Sequence, residues 1–468
     1  MDLQLSIFGK RDVTRQIYRQ LRERILDGRL KTGDRLPASR ELAEELAIAR
    51  KTVTNIYDLL ISEGFLDTRA GSGTFVARGI PLQKSAGLRS TSPIVVSKQW
   101  DRLSSLLKPK RRDLRFDFEV GVPDVSRFPF PLWRSIINSR ARLLSRNSET
   151  YAEPQGYEPL RAAIAKYTHF TRAVSCTPND VVVTGGAQQA FALISYVLIK
   201  HGTVVAMEHP GYERARWIFE THGARIVEVP VDDEGIVVEQ IPRQAKVVYV
   251  TPSHQFPLGV CMSLPRRLAL LEWAAKNAVA VIEDDYDSEF RFAARPLDSL
   301  QSLDRHGVVL YVGTFSKVLF AGVRTGFIVA PEPVRAAAVA ARELTDWHGS
   351  LLMQATLARF IDDGHLALHI RKMRRVYSER REILLNCLRA ELSDLVRLWP
   401  GTAGLHVAVS LRQGISANVI ALAAERVGVG VMPFNDSGFA LGYGAIESGQ
   451  ITEGIRRLAM VIIGSEGY

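Results

Sequence analysis

Two short runs carry the clearest chemistry in this chain. Val281-Ile-Glu-Asp-Asp-Tyr-Asp287 ends a β-branched stretch in carboxylates. Tyr311-Val-Gly-Thr-Phe-Ser-Lys317 ends another in a lysine, with Arg324 just beyond it. A strand that ends in acidic residues places them at the carboxyl edge of an open α/β sheet, where such sheets bind ligands. A lysine at a neighbouring strand end can form a Schiff base with an aldehyde.

Pyridoxal phosphate needs four things from a protein: that lysine, a carboxylate on the pyridine nitrogen, a ring-stacking group and a phosphate cup. Lys317 is the candidate lysine. Asp284 would pair with the protonated ring nitrogen, and Tyr286 could hydrogen-bond the phenolic oxygen. Val183-Thr-Gly-Gly-Ala-Gln-Gln189 reads as strand, glycine turn and helix start, which offers N–H groups and a positive dipole end to phosphate. Thr314, Ser316 and Arg324 would complete the cup. Tyr212, in His209-Pro-Gly-Tyr212, is placed to stack on the ring. Other readings stay open: Asp284 and Asp285 could cap a loop, Tyr212 could be core, Arg214 a surface ion pair, and His254 a buried structural histidine.

The elements that must position these groups alternate. Val181–Val183, Val204–Met207, Val247–Tyr249, Val279–Ile282, Val308–Tyr311 and Phe327–Val329 read as buried strands between crossover helices. From about Ala358 the pattern is helical first, then a smaller mixed lobe. Residues 116–468 are thus an α/β block large enough for a sizeable core. Residues 79–115 are rich in Ser, Pro, Lys and Arg, with one short helix expected near Gln99–Leu107. Fully flexible, such a linker spans roughly 35 Å.

The first 78 residues read differently. A helix over 12–27 has Asp12 as its cap and Gly28 as its stop. Ser39 opens a short helix through about Ala47, and a third runs from about residue 50 to Glu63 with Val53, Ile56, Leu59 and Leu60 as its apolar face. Phe65–Asp67 and Phe75–Ala77 flank a glycine turn. Two short helices with a β-wing form a DNA-binding geometry in which the second helix presents its N-terminal residues to base edges. Arg50, Lys51, Thr52 and Thr54 stand at that helix start. Arg40 opens the preceding helix, and Arg69 with Gly71 and Gly73 forms the wing.

Charge supports a polyanion at this end. The net +10 is distributed as 14 Lys/Arg against 11 Asp/Glu in residues 1–78, 9 against 2 in 79–115, and 37 against 37 in the remainder. The whole positive excess therefore sits in the first quarter of the chain. The 46% apolar and 24% charged composition of the 468 residues excludes collagen-like, fibrous and wholly disordered classes. No apolar run is long enough for a membrane span and no secretory signal is visible, so a cytoplasmic setting is expected. Cys176, Cys261 and Cys387 form no CxxC pair and no disulfide framework, and no metal site is expected.

Gly33-Asp-Arg-Leu-Pro-Ala-Ser-Arg-Glu-Leu-Ala43, Arg50-Lys-Thr-Val, Glu63-Gly-Phe-Leu and Gly71-Ser-Gly-Thr-Phe-Val76 resemble the GntR-family winged helix over about residues 12–77. The resemblance implies DNA contacts at Arg40, Arg50, Thr52 and the wing. Ala49 departs from it, standing where many relatives carry a small hydroxyl residue. Residues 116–468 resemble fold-type-I pyridoxal-phosphate proteins of the aminotransferase class. The combination resembles the MocR/GabR-type regulators: a winged helix over 11–78, a basic linker over 79–115, and an aminotransferase-like sensing and dimerisation domain over 116–468. That resemblance puts phosphate contacts at Gly186, Ala187, Thr314 and Arg324. It puts the Schiff base at Lys317, stacking at Tyr212, an effector-binding arginine at Arg214, and a head-to-tail homodimer around them.

Two departures bear on enzyme against sensor. Phe256-Pro-Leu-Gly259 stands where transaminases have Asn-Pro-x-Gly, and Phe256 cannot hydrogen-bond the phenolic oxygen. Phe439-Ala-Leu-Gly-Tyr443 has Ala440 where many aminotransferases place the substrate-carboxylate arginine. The expectation is a DNA-binding regulator that senses an amine or amino-acid-like effector through Lys317. The alternatives are a regulator of vitamin B6 genes responding to pyridoxal phosphate itself, and an active aminotransferase with a DNA-binding appendage.

Overall fold

The computed structural model describes residues 3, 5–7, 9, 12–69, 71–78, 95–106, 114–146, 151–292, 298–412 and 416–465. The chain divides into two units, Met1–Leu106 and Leu107–Tyr468. Most of the expected linker, 79–94 and 107–113, lies outside the described residues.

The first unit is built on α1 (Val13–Leu26), α2 (Ser39–Glu45) and α3 (Arg50–Ser62), with β1 (Leu66–Arg69) and β2 (Gly73–Val76) as an antiparallel hairpin. Helix α4 (Lys98–Leu106) falls where the short linker helix is expected. Ile17, Leu21 and Ile25 bury one stripe of α1. Asp12 precedes α1 as expected, but in left-handed backbone and without a side-chain cap bond. One expectation fails: Leu59 is 43% exposed and Tyr57 takes its place in the core. Positions 53, 56, 57 and 60 lie on one side of a 3.6-residue helix, and 59 turns off it. The buried Tyr57 hydroxyl donates to the Pro37 carbonyl at 3.0 Å, which ties α3 to the turn before α2.

The second unit opens with β3 (Phe116–Asp117), α5 (Phe130–Leu144) and α6 (Glu158–Arg172). Alternation then follows: β4 (Val181–Thr184), α7 (Ala187–Leu198), β5 (Val204–His209), α8 (Glu213–Thr221), β6 (Arg225–Asp232), β7 (Gly235–Ile236), β8 (Ala245–Val250), α9 (Leu264–Asn277), β9 (Ala280–Asp285), α10 (Leu300–Leu303), β10 (Val309–Thr314), β11 (Gly326–Val329) and α11 (Glu332–Thr345). The sheet order is β4-β11-β10-β9-β8-β5-β6-β7. Strands β10, β9, β8, β5 and β6 are parallel, while β11 runs against both of its neighbours.

The sheet is covered on both faces, and its period of two divides the core. Val205, Met207, Val247, Tyr249 and Ile282 join one cluster; Val204, Ala206, Val248, Val250 and Val281 join the other. Strand β6 was not expected from the sequence. Arg225-Ile-Val-Glu-Val-Pro-Val-Asp232 is half exposed and contains a proline, as suits a strand near a sheet edge.

The smaller lobe follows α12 (Leu351–Asp362) and the long α13 (His365–Leu392). It holds β12 (Val396–Leu398), β13 (His406–Leu411), α14 (Ala417–Arg426), β14 (Val429–Gly430), β15 (Met432–Asn435), β16 (Gly438–Gly442) and α15 (Ser448–Gly464). Strand β3 pairs in parallel with β14. This long-range pairing ties residues 116–124 to the C-terminal lobe, beside the main sheet's strand ends.

Candidate functional site

The carboxyl ends of β9 and β10 open into a cavity of about 660 Å³. Lys317, Asp284, Tyr286, Thr314, Ser316, Arg324, Ala187, Tyr212 and Arg214 all line it. Gly186 stands at the cap of α7 with φ of 97°, and a Cβ there would sit 3.5 Å from Nη1 of Arg324. Arg324 itself adopts left-handed backbone at φ 43°, a conformation that costs a non-glycine residue roughly 1–2 kcal/mol. That geometry brings the guanidinium to the helix start, where the first N–H groups lack intrahelical partners.

Strand β9 sorts its acidic residues by side. Asp284 faces the cavity. Glu283 accepts the backbone N–H groups of Leu300 and Gln301 at 2.7 and 2.8 Å. Asp285 is buried against Arg172 at 2.7 Å and accepts the Tyr311 hydroxyl at 2.6 Å. Burial pushes the Asp285 carboxyl up, but Arg172 and these hydrogen bonds bring it below its ordinary value.

Asp284 has no such cation in contact. It accepts the Tyr249 hydroxyl at 2.6 Å through Oδ2, and its buried Oδ1 has no partner. Burial pushes this carboxyl up to about 7, the Tyr249 bond opposing it. An unpartnered buried acceptor of this kind fits a cationic N–H donor. Lys317 Nζ donates to the Gly121 carbonyl at 2.7 Å. Burial lowers its pKa, opposed by Asp287, Asp284 and Glu119, so the amine is nearer its nucleophilic form. Tyr212 meets Phe256 edge-on at 5.5 Å, and Phe256 meets Tyr286 edge-on at 6.0 Å.

The sequence did not point to Asp117–Gly121, Gln188, Ala321 or Val431–Pro433, all of which line the cavity. The first and last of these arrive through the pairing of β3 with β14, for which no local pattern exists. Ala440 is buried on β16 opposite Ala408 and Met432, so this strand brings no cation to the cavity edge. Among the described residues, the cavity's cations are Arg214, Lys317 and Arg324. His254 is fully buried with Asp287 and His406, their polar atoms within 4.8 Å of one another. His254 Nδ1 lies 3.1 Å from Asp287 and His406 Nε2 lies 2.9 Å from the Pro257 carbonyl, while His254 Nε2 and His406 Nδ1 are buried without a partner.

The first unit presents a second surface. Arg40, Arg50, Lys51 and Thr54 are exposed and Thr52 half-buried at the starts of α2 and α3. The Thr54 hydroxyl donates back to the Arg50 carbonyl at 3.1 Å, which leaves its oxygen as an outward acceptor. At the hairpin tip, Gly71 and Gly73 are exposed with φ of 74° and 113°. The Arg69 guanidinium lies 4.6 Å over the Phe75 ring. The Arg371-Lys-Met-Arg-Arg375 run is an exposed face of α13 with Met373 turned inward.

The fold and both surfaces define a class: a winged-helix unit joined to an aminotransferase frame with a cofactor-type cavity. Residues 13–76 match the bacterial regulatory proteins of the gntR family, and residues 116–452 match aminotransferase class I and II. The chain is 36% identical to the probable rhizopine catabolism regulatory protein MocR of Rhizobium meliloti, over 97% of this chain and 94% of that one. It is 31% identical to the pyridoxine biosynthesis transcriptional regulator PdxR of Corynebacterium glutamicum, over 92% and 91%. Among solved structures it is similar to the α-aminoadipate aminotransferase LysN of Thermus thermophilus, bound to N-(5'-phosphopyridoxyl)-L-leucine. There the TM-score is 0.72 and the identity 29%, covering 80% of this chain and 98% of that one. The chain belongs to the MocR-type helix-turn-helix transcription regulators, whose aminotransferase class I and II fold is one that binds pyridoxal phosphate.

Proposed function

We propose that this regulator carries pyridoxal phosphate on Lys317 and reads an amine or amino-acid-like effector there. The observation that carries the reading is the pairing, in one cavity, of Lys317 with a buried Asp284 oxygen that has no partner. Asp284 would hold the ring nitrogen and Tyr212 the ring face. Tyr286 would face the phenolic oxygen. Gly186, Ala187, Thr314, Ser316 and Arg324 would hold the phosphate. The cofactor supplies an aldehyde on which a primary amine can replace the lysine.

Arg214, exposed at the cavity and without an ion pair among the described residues, would take an acidic group of the effector by a bidentate fork. Lys317, released, and Arg214, engaged, would favour one arrangement of the cavity walls, and a ligand that favours one state shifts the population. Arg50, Lys51, Thr52 and Thr54 would meet base edges and phosphates, helped by Arg40. Arg69, Gly71 and Gly73 would follow the adjacent backbone. A head-to-tail homodimer in the cytoplasm would present two winged helices to separated half-sites. No described helix is long and apolar enough to cross a membrane.

A second reading is favoured by the likeness to PdxR. In it, occupancy of the Lys317 site by pyridoxal phosphate is itself the signal. Comparing DNA affinity of the cofactor-free and cofactor-loaded protein separates the two. A change without added amine supports the second; a change only with amine supports the first. An active aminotransferase would release keto acid from a loaded site, and Phe256 and the basic N-terminal quarter have no part in that activity.

The decisive experiment is an absorbance titration of the loaded chain with a panel of amines in the presence of operator DNA, alongside Lys317→Ala. The variant is expected to bind DNA and lose both the visible cofactor band and the amine response. An unaltered amine response in the variant would refute the mechanism.

A further inference from the structure

Behind Tyr286 lies a polar cluster that none of the assigned roles uses. The Tyr286 hydroxyl sits 3.0 Å from His254 Nδ1 and 2.9 Å from the His254 carbonyl oxygen. His254 Nδ1 is also 3.1 and 3.2 Å from the two carboxylate oxygens of Asp287. Both side chains are 1% exposed. Asp287 is held in turn by the backbone N–H of Leu405 at 3.1 Å. The space is tight, since a Cβ on Gly404 would come within 2.5 Å of Asp287 and 2.0 Å of the imidazole.

A carboxylate beside Nδ1 holds a proton on Nδ1, and the buried Nε2 has no partner that would draw that proton away. With N–H at Nδ1, the tyrosine oxygen is an acceptor. Its own proton then rests on the His254 carbonyl or turns into the cavity. Phe256 offers no donor on that side, and the Tyr286 hydroxyl beside it is a side-chain proton that this wall can present.

We propose that His254 and Asp287 are positioning residues that, through the Nδ1 tautomer, turn the Tyr286 proton toward the phenolic oxygen of the cofactor. The inference rests on pyridoxal phosphate occupying the Lys317 cavity. Asp287, Asp284, Glu208 and Asp285 surround Tyr286 and, with burial, hold its phenol protonated at all ordinary pH. Lys317 and His406 are the nearby basic groups, and burial lowers the pKa of both and keeps His406 neutral. The device therefore works by orientation of a proton and not by ionisation of the tyrosine.

The test is a pH titration of the visible band of the loaded full-length chain, in the wild type, Asp287→Asn, Tyr286→Phe and the double variant. A donor bond to the phenolic oxygen favours its anionic form, so losing the bond raises the midpoint. Tyr286→Phe is expected to raise it by about one pH unit, the scale of one hydrogen bond to a charged group. An asparagine at 287 can donate to Nδ1 and reverse the tautomer, which draws the tyrosine proton onto the imidazole. Asp287→Asn is then expected to give a similar rise although the tyrosine is intact, and the double variant no further rise. His254→Asn keeps an N–H at the Nδ1 position and should titrate like the wild type, whereas His254→Leu should shift. This second pair carries the same comparison if Asp287→Asn does not fold. A wild-type midpoint in Asp287→Asn, or a further rise on adding Tyr286→Phe, overturns the proposal. No visible band in the wild type overturns instead the cofactor reading on which it rests.

Discussion

Replacing Asp284 with asparagine should pull cofactor affinity and protein stability in opposite directions. The carboxyl is fully buried, with one oxygen on Tyr249 and the other unpartnered. Asparagine has the same shape and can still accept from the Tyr249 hydroxyl. It cannot offer an anion to the ring nitrogen. A hydrogen bond to a charged group is worth about 1.5–3 kcal/mol, so affinity for pyridoxal phosphate should fall about 10- to 150-fold. Without cofactor the sign reverses. Burial raises the Asp284 pKa from 3.8 to about 7. Between those values the folded chain keeps a proton that the unfolded chain has lost, so stability falls as pH rises through that window. Above pH 7 the full cost stands, of order 4 kcal/mol at about 1.36 kcal/mol per pKa unit. Asparagine removes this cost. The cofactor-free variant should therefore melt several degrees above wild type at pH 8 and close to it at pH 4. Thermal melts at the two pH values and a fluorescence titration with pyridoxal phosphate read both effects. Unchanged cofactor affinity, or a lower melting temperature at pH 8, would refute the assignment of Asp284.

Other substitutions test other parts of the argument. Arg172→Met strands the Asp285 carboxylate in the core and should cost about 3–5 kcal/mol in denaturant unfolding, with the loss shrinking as pH falls and Asp285 protonates. Leu60→Ala leaves a cavity under the third helix, where Leu60 is fully buried. It should remove about 2–5 kcal/mol from the winged-helix unit and abolish DNA binding at growth temperature, while the cofactor band persists. Arg50→Ala should weaken operator binding by about 1–3 kcal/mol and relax preference at one base pair. Lys51→Ala should weaken binding on all sequences alike and reduce the salt slope by about one. Equal losses on operator and random DNA for Arg50→Ala would place that side chain on phosphate.

Much of the cavity was legible because its groups sit at the ends of periodic segments. Asp284, Thr314 and Lys317 end β-branched runs, and Gly186 and Ala187 open a helix after a glycine turn. For such residues the period of the chain dictates the edge to which they belong. The winged helix was legible for the same reason, its apolar stripe, turn glycines and basic helix start all being local. Leu59 shows the limit even there. Its hydrophobicity fits the core, but the angle of one helical residue puts it in solvent, and Tyr57 is buried because the Pro37 carbonyl meets its hydroxyl.

Tertiary structure alone decided how residues distant in the chain meet. Glu283, Asp284 and Asp285 are chemically alike in the sequence. Strand alternation and the position of Arg172 make one a cap for α10, one an ion-pair partner, and one an open acceptor in the cavity. Gly121 reaches Lys317 only because β3 pairs with β14, more than three hundred residues along the chain. His254 gains its tautomer from Asp287 and its neighbour from Tyr286, neither of which any spacing signals. Most elements are readable in the chain because propensity and hydrophobic period are local properties, whereas β6, β3 and β14 carry no such pattern. The fold decided which polar groups are partnered and which are left open, because burial and pairing depend on segments that only the folded chain brings into contact.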